Sequence, residues 1–238
     1  MKENFNDNGD RRCLIIATHF DDDYLMFGSF LIGYPGEISI VYTHQGDCIS
    51  ENKYNEELIE NENFLEALAK YREKKGYGKC EKVYYPQHGE VSRLGVSEKA
   101  HFDICEKVEK LLEKYKWEYY LYSCKSIHNN HVQSHMIAES ILRDPYIFSV
   151  EKVYIGTYDP ECMFPVEDAG KFNTQVIISE EDMSELTRIG KKYHKKLEKF
   201  TEEQFRKILH YNGLKIKKIY AQSFAPRHQI ISFQKSIP

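Results

Sequence analysis

The sequence lacks several features that would point directly to a function. Its 238 residues contain no apolar run long enough to span a bilayer. The formal net charge is -4, which argues against the strong basic field of a nucleic-acid-binding protein. No Gly-x-Gly-x-x-Gly follows the first predicted strand, and no Gly-Lys-Ser/Thr phosphate loop occurs. A nucleotide cofactor of the usual Rossmann or P-loop type is therefore not predicted.

Cysteine pairs with metal-binding spacing are absent as well. The six cysteines lie at positions 13, 48, 80, 105, 124 and 162, and no Cys-x-x-Cys pair occurs among them. Residues 1–10 are polar and lack the apolar core of a signal peptide, so we expect them to form a flexible tail. We also expect a cytoplasmic location with reduced thiols. A thiolate zinc site is therefore not predicted.

What the sequence does contain is an alternation of apolar strand patterns and amphipathic helix patterns. The predicted strands cover residues 13–18, 37–43, 82–85, 117–123 and 152–157, and the predicted helices cover residues 22–32, 55–75, 98–116 and 131–143. This βαβα order predicts an α/β fold, with a Rossmann-like, mostly parallel sheet that has helices on both faces. Helical patterns over residues 180–200 and 202–209 predict a C-terminal extension. We expect residues 11–238 to form a single domain.

The most informative segment carries a histidine and three consecutive carboxylates directly after the first predicted strand. His19 is followed by Phe20 and then by Asp21, Asp22 and Asp23. Ligands bind at the carboxyl ends of strands in open α/β sheets, and imidazole with a nearby carboxylate suits a divalent metal. Alternatively, the aspartates only begin the next helix, because Asp is a favoured N-cap residue. One cap needs one aspartate, which leaves the other two unexplained.

A second polar cluster follows the fourth predicted strand, at the same edge of the predicted sheet. His128, His131 and His135 lie three and four residues apart, around the start of a predicted helix. Alternatively, the first two belong to a surface loop and His135 packs within the helix. Two clusters at one edge can converge on one ion, so we expect a shared metal site. His44 and His88 follow the second and third strands and could line the same pocket.

The two clusters resemble motifs of the LmbE/PIG-L family of zinc-dependent N-acetylglucosaminyl deacetylases. His19-Phe20-Asp21-Asp22 resembles the family's His-Pro-Asp-Asp motif, and His128-Asn129-Asn130-His131 resembles its second motif, His-Pro-Asp-His. Thr43-His44-Gln45-Gly46-Asp47 is similar to its Thr-x-Gly-Glu loop, and Tyr220-Ala221-Gln222-Ser223-Phe224 to its late Tyr-Ala-Glu-Ala-Phe segment. The order and separation of the motifs also fit, so the resemblance covers most of the chain.

The resemblance implies hydrolysis of an N-acyl group, typically acetyl, from an amino-sugar-containing small molecule or a glycoconjugate intermediate. It implies that His19, Asp22 and His131 hold one Zn²⁺, or Fe²⁺ in its place. Asp21 would be the general base, and His128 would be the acid or the oxyanion partner. Three protein ligands leave one position for water, which is the catalytic pattern for zinc.

The sequence departs from the family pattern at several positions. Phe20 stands where the family has proline, and Asp23 replaces the usual glutamate, so any contact made by that acid must shift. Asn130 replaces the family's aspartate, which is the departure that matters most. Asparagine can orient the neighbouring His128 by hydrogen bonding but supplies no charge to keep that ring protonated. Arginine is common in the family in a region that Glu60-Asn61-Glu62 occupies here. Its absence weakens the inference that the substrate is the family's usual sugar.

Four further residues are candidates for supporting the site or contacting the substrate: Asp23, Asn130, His44 and Arg93. Three other functions remain open at this point. The protein could be a catalytically impaired homologue that binds metal or sugar, although the intact histidines and aspartates argue against this. It could be a magnesium-dependent phosphoryl enzyme, which would not need His131. It could also be an iron oxygenase with two histidines and one carboxylate, although such an enzyme needs no spare base.

Overall fold

Strands and helices alternate along the chain, as the sequence pattern predicts. The computed structural model describes residues 11–44, 50–92, 95–123, 129–142, 150–156, 178–195 and 219–221. In chain order the elements are β1 (Arg12–Ala17), α1 (Asp22–Gly33), β2 (Glu37–Tyr42), α2 (Glu51–Lys74), β3 (Cys80–Tyr84), β4 (Val91–Ser92), β5 (Gly95–Val96), α3 (Glu98–Lys114), β6 (Trp117–Ser123), α4 (Asn129–Leu142), β7 (Val150–Gly156), α5 (Glu180–Tyr193) and β8 (Ile219–Ala221).

One sheet contains six of the strands, in the order β3-β2-β1-β6-β7-β8. The first five of these pair in parallel, and β8 pairs antiparallel with β7. The predicted mostly parallel α/β sheet is therefore confirmed. From β1 the chain moves outward through β2 and β3 and then returns to β6, on the other side of β1. This reversal is the topological switch point, where the carboxyl ends of β1 and β6 lie side by side.

The strands at the switch point are buried on both faces of the sheet. Ile15 of β1 belongs to a core cluster with apolar residues of α1, α2 and α5, whereas Leu14 belongs to a second cluster with residues of α3 and α4. Both side chains are fully buried. Burial on both faces explains why β1 reads as a continuous apolar run rather than as an alternating pattern. The predicted placement of helices on both faces is therefore confirmed.

Some elements differ from the sequence prediction. The short hairpin of β4 and β5 was not predicted, because strands of two residues carry no periodic signal. Helix α5 ends at Tyr193, because His194 leaves the helical conformation, so the predicted helix over residues 180–200 is interrupted there. Residues 196–200 lie outside the described residues. Strand β8 lies within a segment that the sequence pattern left unassigned. The predicted tail and the predicted helix over residues 202–209 lie outside the described residues.

Cys13, Cys80 and Cys105 are free cysteines, and the other three positions lie outside the described residues. Within the described ranges, no helix has the length and apolarity needed to cross a membrane.

Candidate metal centre

The turn between β1 and α1 (residues 18–21) lies at the carboxyl edge of the sheet, and we refer to it as the β1–α1 turn. The backbone N–H of His19 donates to Oδ2 of Asp22 at 2.9 Å, and the N–H of Asp22 donates to the carbonyl oxygen of His19 at 3.2 Å. The same Oδ2 lies 3.1 Å from Nδ1 of His19. Local hydrogen bonds therefore hold this imidazole and this carboxylate side by side.

The aspartates do not act as a simple helix cap. Asp21 occupies the N-cap position of α1, yet its side chain makes no capping hydrogen bond. The interpretation that these carboxylates only begin a helix therefore lacks its defining contact. Asp22 is turned toward His19, and the first turn of α1 gains only the general benefit of acidic residues near a helix N-terminus.

One histidine of the second cluster, His131, lies beside this turn. His131 lies in the first turn of α4, and its Nε2 is 3.6 Å from Oδ2 of Asp22. The ring centroids of His19 and His131 are 5.0 Å apart. One ligand atom from each of these three residues lies within 4.8 Å of the other two. The structure thus brings together the three residues that the sequence motifs singled out as metal ligands.

The three side chains fit a zinc ion by spacing and by donor type. Ligand bonds of about 2.1 Å in a tetrahedral site place neighbouring ligand atoms about 3.4 Å apart. The distances of 3.1 and 3.6 Å from Asp22 to the two histidines lie on either side of that value. Two imidazole nitrogens and one carboxylate oxygen suit Zn²⁺ or Fe²⁺, whereas Mg²⁺ prefers oxygen ligands.

The site is largely buried, and its charges compensate one another. Asp22 and His131 are each 3% exposed. Burial alone raises the pKa of Asp22, but the charges of His131 and His19 and the hydrogen bonds from His19 outweigh it, so the pKa lies below its usual range. Asp22 is therefore ionised at neutral pH, as a metal ligand must be.

The outer nitrogens of both candidate histidine ligands have partners. The Oγ1 of Thr18 lies 3.3 Å from Nδ1 of His131, and Nδ2 of Asn130 lies 3.2 Å from Nε2 of His19. Such partners fix the tautomer and orientation of metal-binding histidines. If Nδ1 of His19 were to bind a metal, its Nε2 would carry a proton, and the Asn130 amide would have to turn its Oδ1 toward that ring in place of the Nδ2 that faces it here. Thr18 was not predicted from the sequence, because no local pattern marks it.

Asn130 makes a contact at the site that the sequence did not predict. Its amide lies against His19, and the predicted hydrogen bond to His128 stays a prediction. Both His128 and Arg93 lie outside the described residues. Their proposed roles stay predictions.

Asp23 lies behind the three candidate ligands and is fully buried. Its Oδ2 accepts a hydrogen bond from the hydroxyl of Tyr42 at 2.6 Å, and its Oδ1 accepts one from the backbone N–H of Tyr24 at 2.7 Å. Burial raises the pKa of Asp23 to about 7, even though these hydrogen bonds lower it. Asp23 therefore contacts the supporting structure of the β1–α1 turn and is not one of the three grouped ligands.

His44 forms part of the wall beside the site. Its ring centroid is 6.2 Å from that of His19, Thr43 Oγ1 lies 2.8 Å from its Nδ1, and Oε1 of Gln133 lies 3.3 Å from its Nε2. Burial, and then the charge of His19, lower the pKa of His44 to about 4. The ring is neutral at neutral pH, and because Oε1 only accepts hydrogen bonds, the proton belongs on Nε2.

His135 and His88 make their contacts outside the group of three candidate ligands. Nδ1 of His135 lies 3.1 Å from the carbonyl oxygen of Ser123, and its Nε2 lies 3.0 Å from Oε1 of Glu139. The structure therefore supports the packing interpretation for His135. His88 is exposed and stacks near Tyr54, with ring centroids 5.8 Å apart, so it is not part of the three-residue group.

Comparison with solved structures extends over nearly the whole chain, although no protein-family model and no curated sequence matches it. The conserved protein TT1542 from Thermus thermophilus matches with a TM-score of 0.56 at 14% identity, covering 96% of this chain and 99% of that one. A triple-mutant deacetylase of the teicoplanin biosynthetic pathway matches with a TM-score of 0.54 at 12% identity, covering 88% and 94%.

A third solved structure is the N,N'-diacetylchitobiose deacetylase from Pyrococcus horikoshii. It matches with a TM-score of 0.50 at 16% identity, covering 90% of this chain and 83% of that one. The chain has the fold of these two deacetylases. The resemblance that the two histidine motifs indicated is therefore confirmed at the level of the fold.

Proposed function

We propose that the protein is a zinc-dependent amidohydrolase that removes an N-acyl group, typically acetyl, from an amino-sugar-containing small molecule or glycoconjugate intermediate. The observation that carries this proposal is the convergence of His19, Asp22 and His131 at the switch point of the sheet. The shared fold supports it, because one solved neighbour is named for diacetylchitobiose, an N-acetylated amino sugar.

The three candidate ligands and the carboxylate of Asp21 would have different roles in the reaction. Zinc held by three protein ligands lowers the pKa of a water molecule to about 7 and polarises an amide carbonyl. Asp21 is half-buried, lies in the same β1–α1 turn as His19 and makes no capping bond to α1. We assign it as the general base that accepts the proton of the attacking water. Asp22, by contrast, is the ligand.

The proton for the leaving amine needs a second group. His44 is a poor candidate, because its ring is neutral and its Nε2 is hydrogen-bonded to Gln133. We therefore retain His128, three residues before His131 in the chain, as the acid or oxyanion partner. Arg93 is retained as a candidate substrate contact.

The donor atoms favour this function over a magnesium-dependent phosphoryl enzyme. His131 lies within the three-residue group and is oriented by Thr18, which a site for Mg²⁺ does not require. Fe²⁺ fits the same donors, and metal analysis of protein purified without added metal distinguishes the two ions.

The test combines metal analysis with amine release from a panel of N-acetyl and N-formyl amino sugars, both free and nucleotide-linked. We expect one metal ion per chain and release of a primary amine, and we expect His131→Ala to abolish both. Stoichiometric zinc without hydrolysis of any N-acyl sugar would contradict the proposal in favour of a binding protein. Undiminished metal binding in the His131→Ala variant would contradict the assigned ligand set.

A further inference from the structure

A second buried polar cluster lies directly behind the β1–α1 turn and contains none of the three candidate metal ligands. Its members are Asn61 of α2, Tyr42 at the end of β2 and Asp23 of α1, and all three are fully buried. Because they come from three different elements, they connect the turn to both the sheet and the helix that packs over it.

Asn61 contacts the turn itself. Its Nδ2 donates to the backbone carbonyl oxygen of Phe20 at 2.9 Å, and Phe20 stands between His19 and Asp21. The same Nδ2 donates to the hydroxyl oxygen of Tyr42 at 2.9 Å. The amide therefore uses both of its hydrogens on two partners, one of which is the backbone of the metal-binding segment.

Tyr42 extends this contact to the helix that carries Asp22. Its hydroxyl accepts from Asn61 and donates to Oδ2 of Asp23 at 2.6 Å, while Nδ2 of Asn61 lies 3.4 Å from the same Oδ2. Asp23 is the residue after Asp22. The chain of hydrogen bonds thus fixes the turn at Phe20 and again at the first turn of α1.

Burying the amide of Asn61 costs folding free energy, and packing alone does not explain why an amide stands at this position. Its Oδ1 is buried without a hydrogen-bond partner within the part of the chain that the structure describes. An apolar side chain at this position of α2 would avoid that cost, because neighbouring positions such as Phe64 and Leu65 are buried in the core. The contact that an apolar residue cannot supply is the one to the carbonyl oxygen of Phe20.

We propose that Asn61, acting through Phe20 and Tyr42, is a positioning residue that holds His19 and Asp22 in the geometry needed to bind the metal. This inference rests on the proposed function, because it assumes that those two residues are ligands. Residues that orient metal ligands typically change metal affinity by about 10- to 100-fold when they are replaced.

The experiment measures the Zn²⁺ dissociation constant by competition with a chromophoric chelator in the full-length protein, together with the unfolding midpoint of the metal-free form. Asn61→Leu removes the amide at similar volume, and Asn61→Asp replaces the donor with a carboxylate near Asp23. We expect both variants to bind Zn²⁺ at least about tenfold more weakly than the wild type. We expect kcat to fall with them, with KM little changed.

Matched controls separate positioning from general stability. Asn63→Asp makes the same change at an exposed position of α2, and Tyr120→Phe removes a buried hydroxyl bonded to the carbonyl oxygen of Ala138. Both controls should keep the wild-type affinity, whereas Tyr42→Phe should weaken it. Tyr42→Phe removes a single oxygen atom, so it decides the question if both Asn61 variants fail to fold.

The outcomes distinguish this inference from the proposed function. Wild-type affinity in every Asn61 and Tyr42 variant that folds would overturn the inference alone, even if the metal-free unfolding midpoint falls. A wild-type chain that binds no Zn²⁺ would overturn the proposed function and this inference with it. Weakened binding in the Asn61 variants, with unchanged binding in the controls, supports both.

Discussion

The hydroxyl oxygen of Thr18 lies 3.3 Å from Nδ1 of His131, although the two residues are 113 positions apart in the sequence. The contact joins the end of β1 to the first turn of α4 across the switch point of the sheet. It leaves Nε2 of His131 facing Asp22, at 3.6 Å. A residue that neither sequence motif includes therefore contacts one of the candidate ligands.

Thr18→Val should weaken metal binding without removing a ligand. Valine has nearly the shape of threonine but cannot pair with Nδ1 of His131, so the ring loses its fixed tautomer and orientation. We expect the Zn²⁺ dissociation constant to rise about 10- to 100-fold in a chelator competition assay. Thr187→Val is the matched control, because it removes a buried hydroxyl that donates to Met183 within α5. A wild-type Zn²⁺ dissociation constant in the Thr18→Val variant would show that Thr18 does not orient His131.

Asp21 and Asp22 should respond differently to the same substitution. Asp21→Asn should keep one metal ion per chain and lose about 10²- to 10⁴-fold in kcat, because the base is removed and the ligands stay. Asp22→Asn should lose the metal itself. The two variants control for each other, with metal content measured by elemental analysis and kcat by amine release. Metal loss in the Asp21→Asn variant would contradict the division of roles.

Removing the metal should destabilise the protein. A ligand that binds only the folded state at 100 times its Kd stabilises it by about 2.7 kcal/mol, which raises Tm by roughly 5–10 °C in a chain of this size. We expect the Tm of the loaded protein to fall by this amount after chelation and to recover on adding Zn²⁺. Asp22→Asn should show no such shift. A shift of equal size in that variant would indicate binding elsewhere.

His44 should make the metal-free protein less stable in acid. Its pKa is about 4 in the folded protein against a usual value of 6.5, so the unfolded chain binds the proton first. Stability is therefore lost as the pH falls from about 6.5 to 4, by at most about 3 kcal/mol. His44→Asn should reduce this loss in urea unfolding followed across that range.

The control for this pH dependence is His101→Asn, which replaces an exposed histidine of α3. It should keep the wild-type slope of unfolding free energy against pH. An unchanged slope in His44→Asn would mean that the His44 ring is not held neutral by its surroundings. The comparison concerns slopes, so a uniform loss of stability from the lost packing of His44 does not affect it.

Much of the fold could be predicted because the spacing of apolar residues indicates which faces of a strand or helix are buried. The apolar run of β1 and the helical spacing in α3 each follow from which faces must be covered. Every predicted strand of the parallel sheet agrees with the structure to within two residues. The hairpin of β4 and β5 and the three-residue β8 were missed, because elements this short carry no period.

The grouping of the three candidate ligands could be predicted, but the contacts around them could not. His19 and His131 each follow a strand, and adjacent parallel strands bring their carboxyl ends together, so their proximity follows from topology. Thr18, Tyr42 and Asn61 act through contacts between elements far apart in sequence, which depend on packing rather than on any local pattern. Asn130 was predicted to support the site, and its amide lies against His19.

The most direct test of the account is a crystal structure of the protein grown with Zn²⁺, with anomalous diffraction data collected on both sides of the zinc absorption edge. We predict one strong anomalous peak per chain, about 2.0–2.2 Å from Nδ1 of His19, Oδ2 of Asp22 and Nε2 of His131. Either no peak among these three side chains or a zinc ion bound elsewhere in the chain would contradict the account.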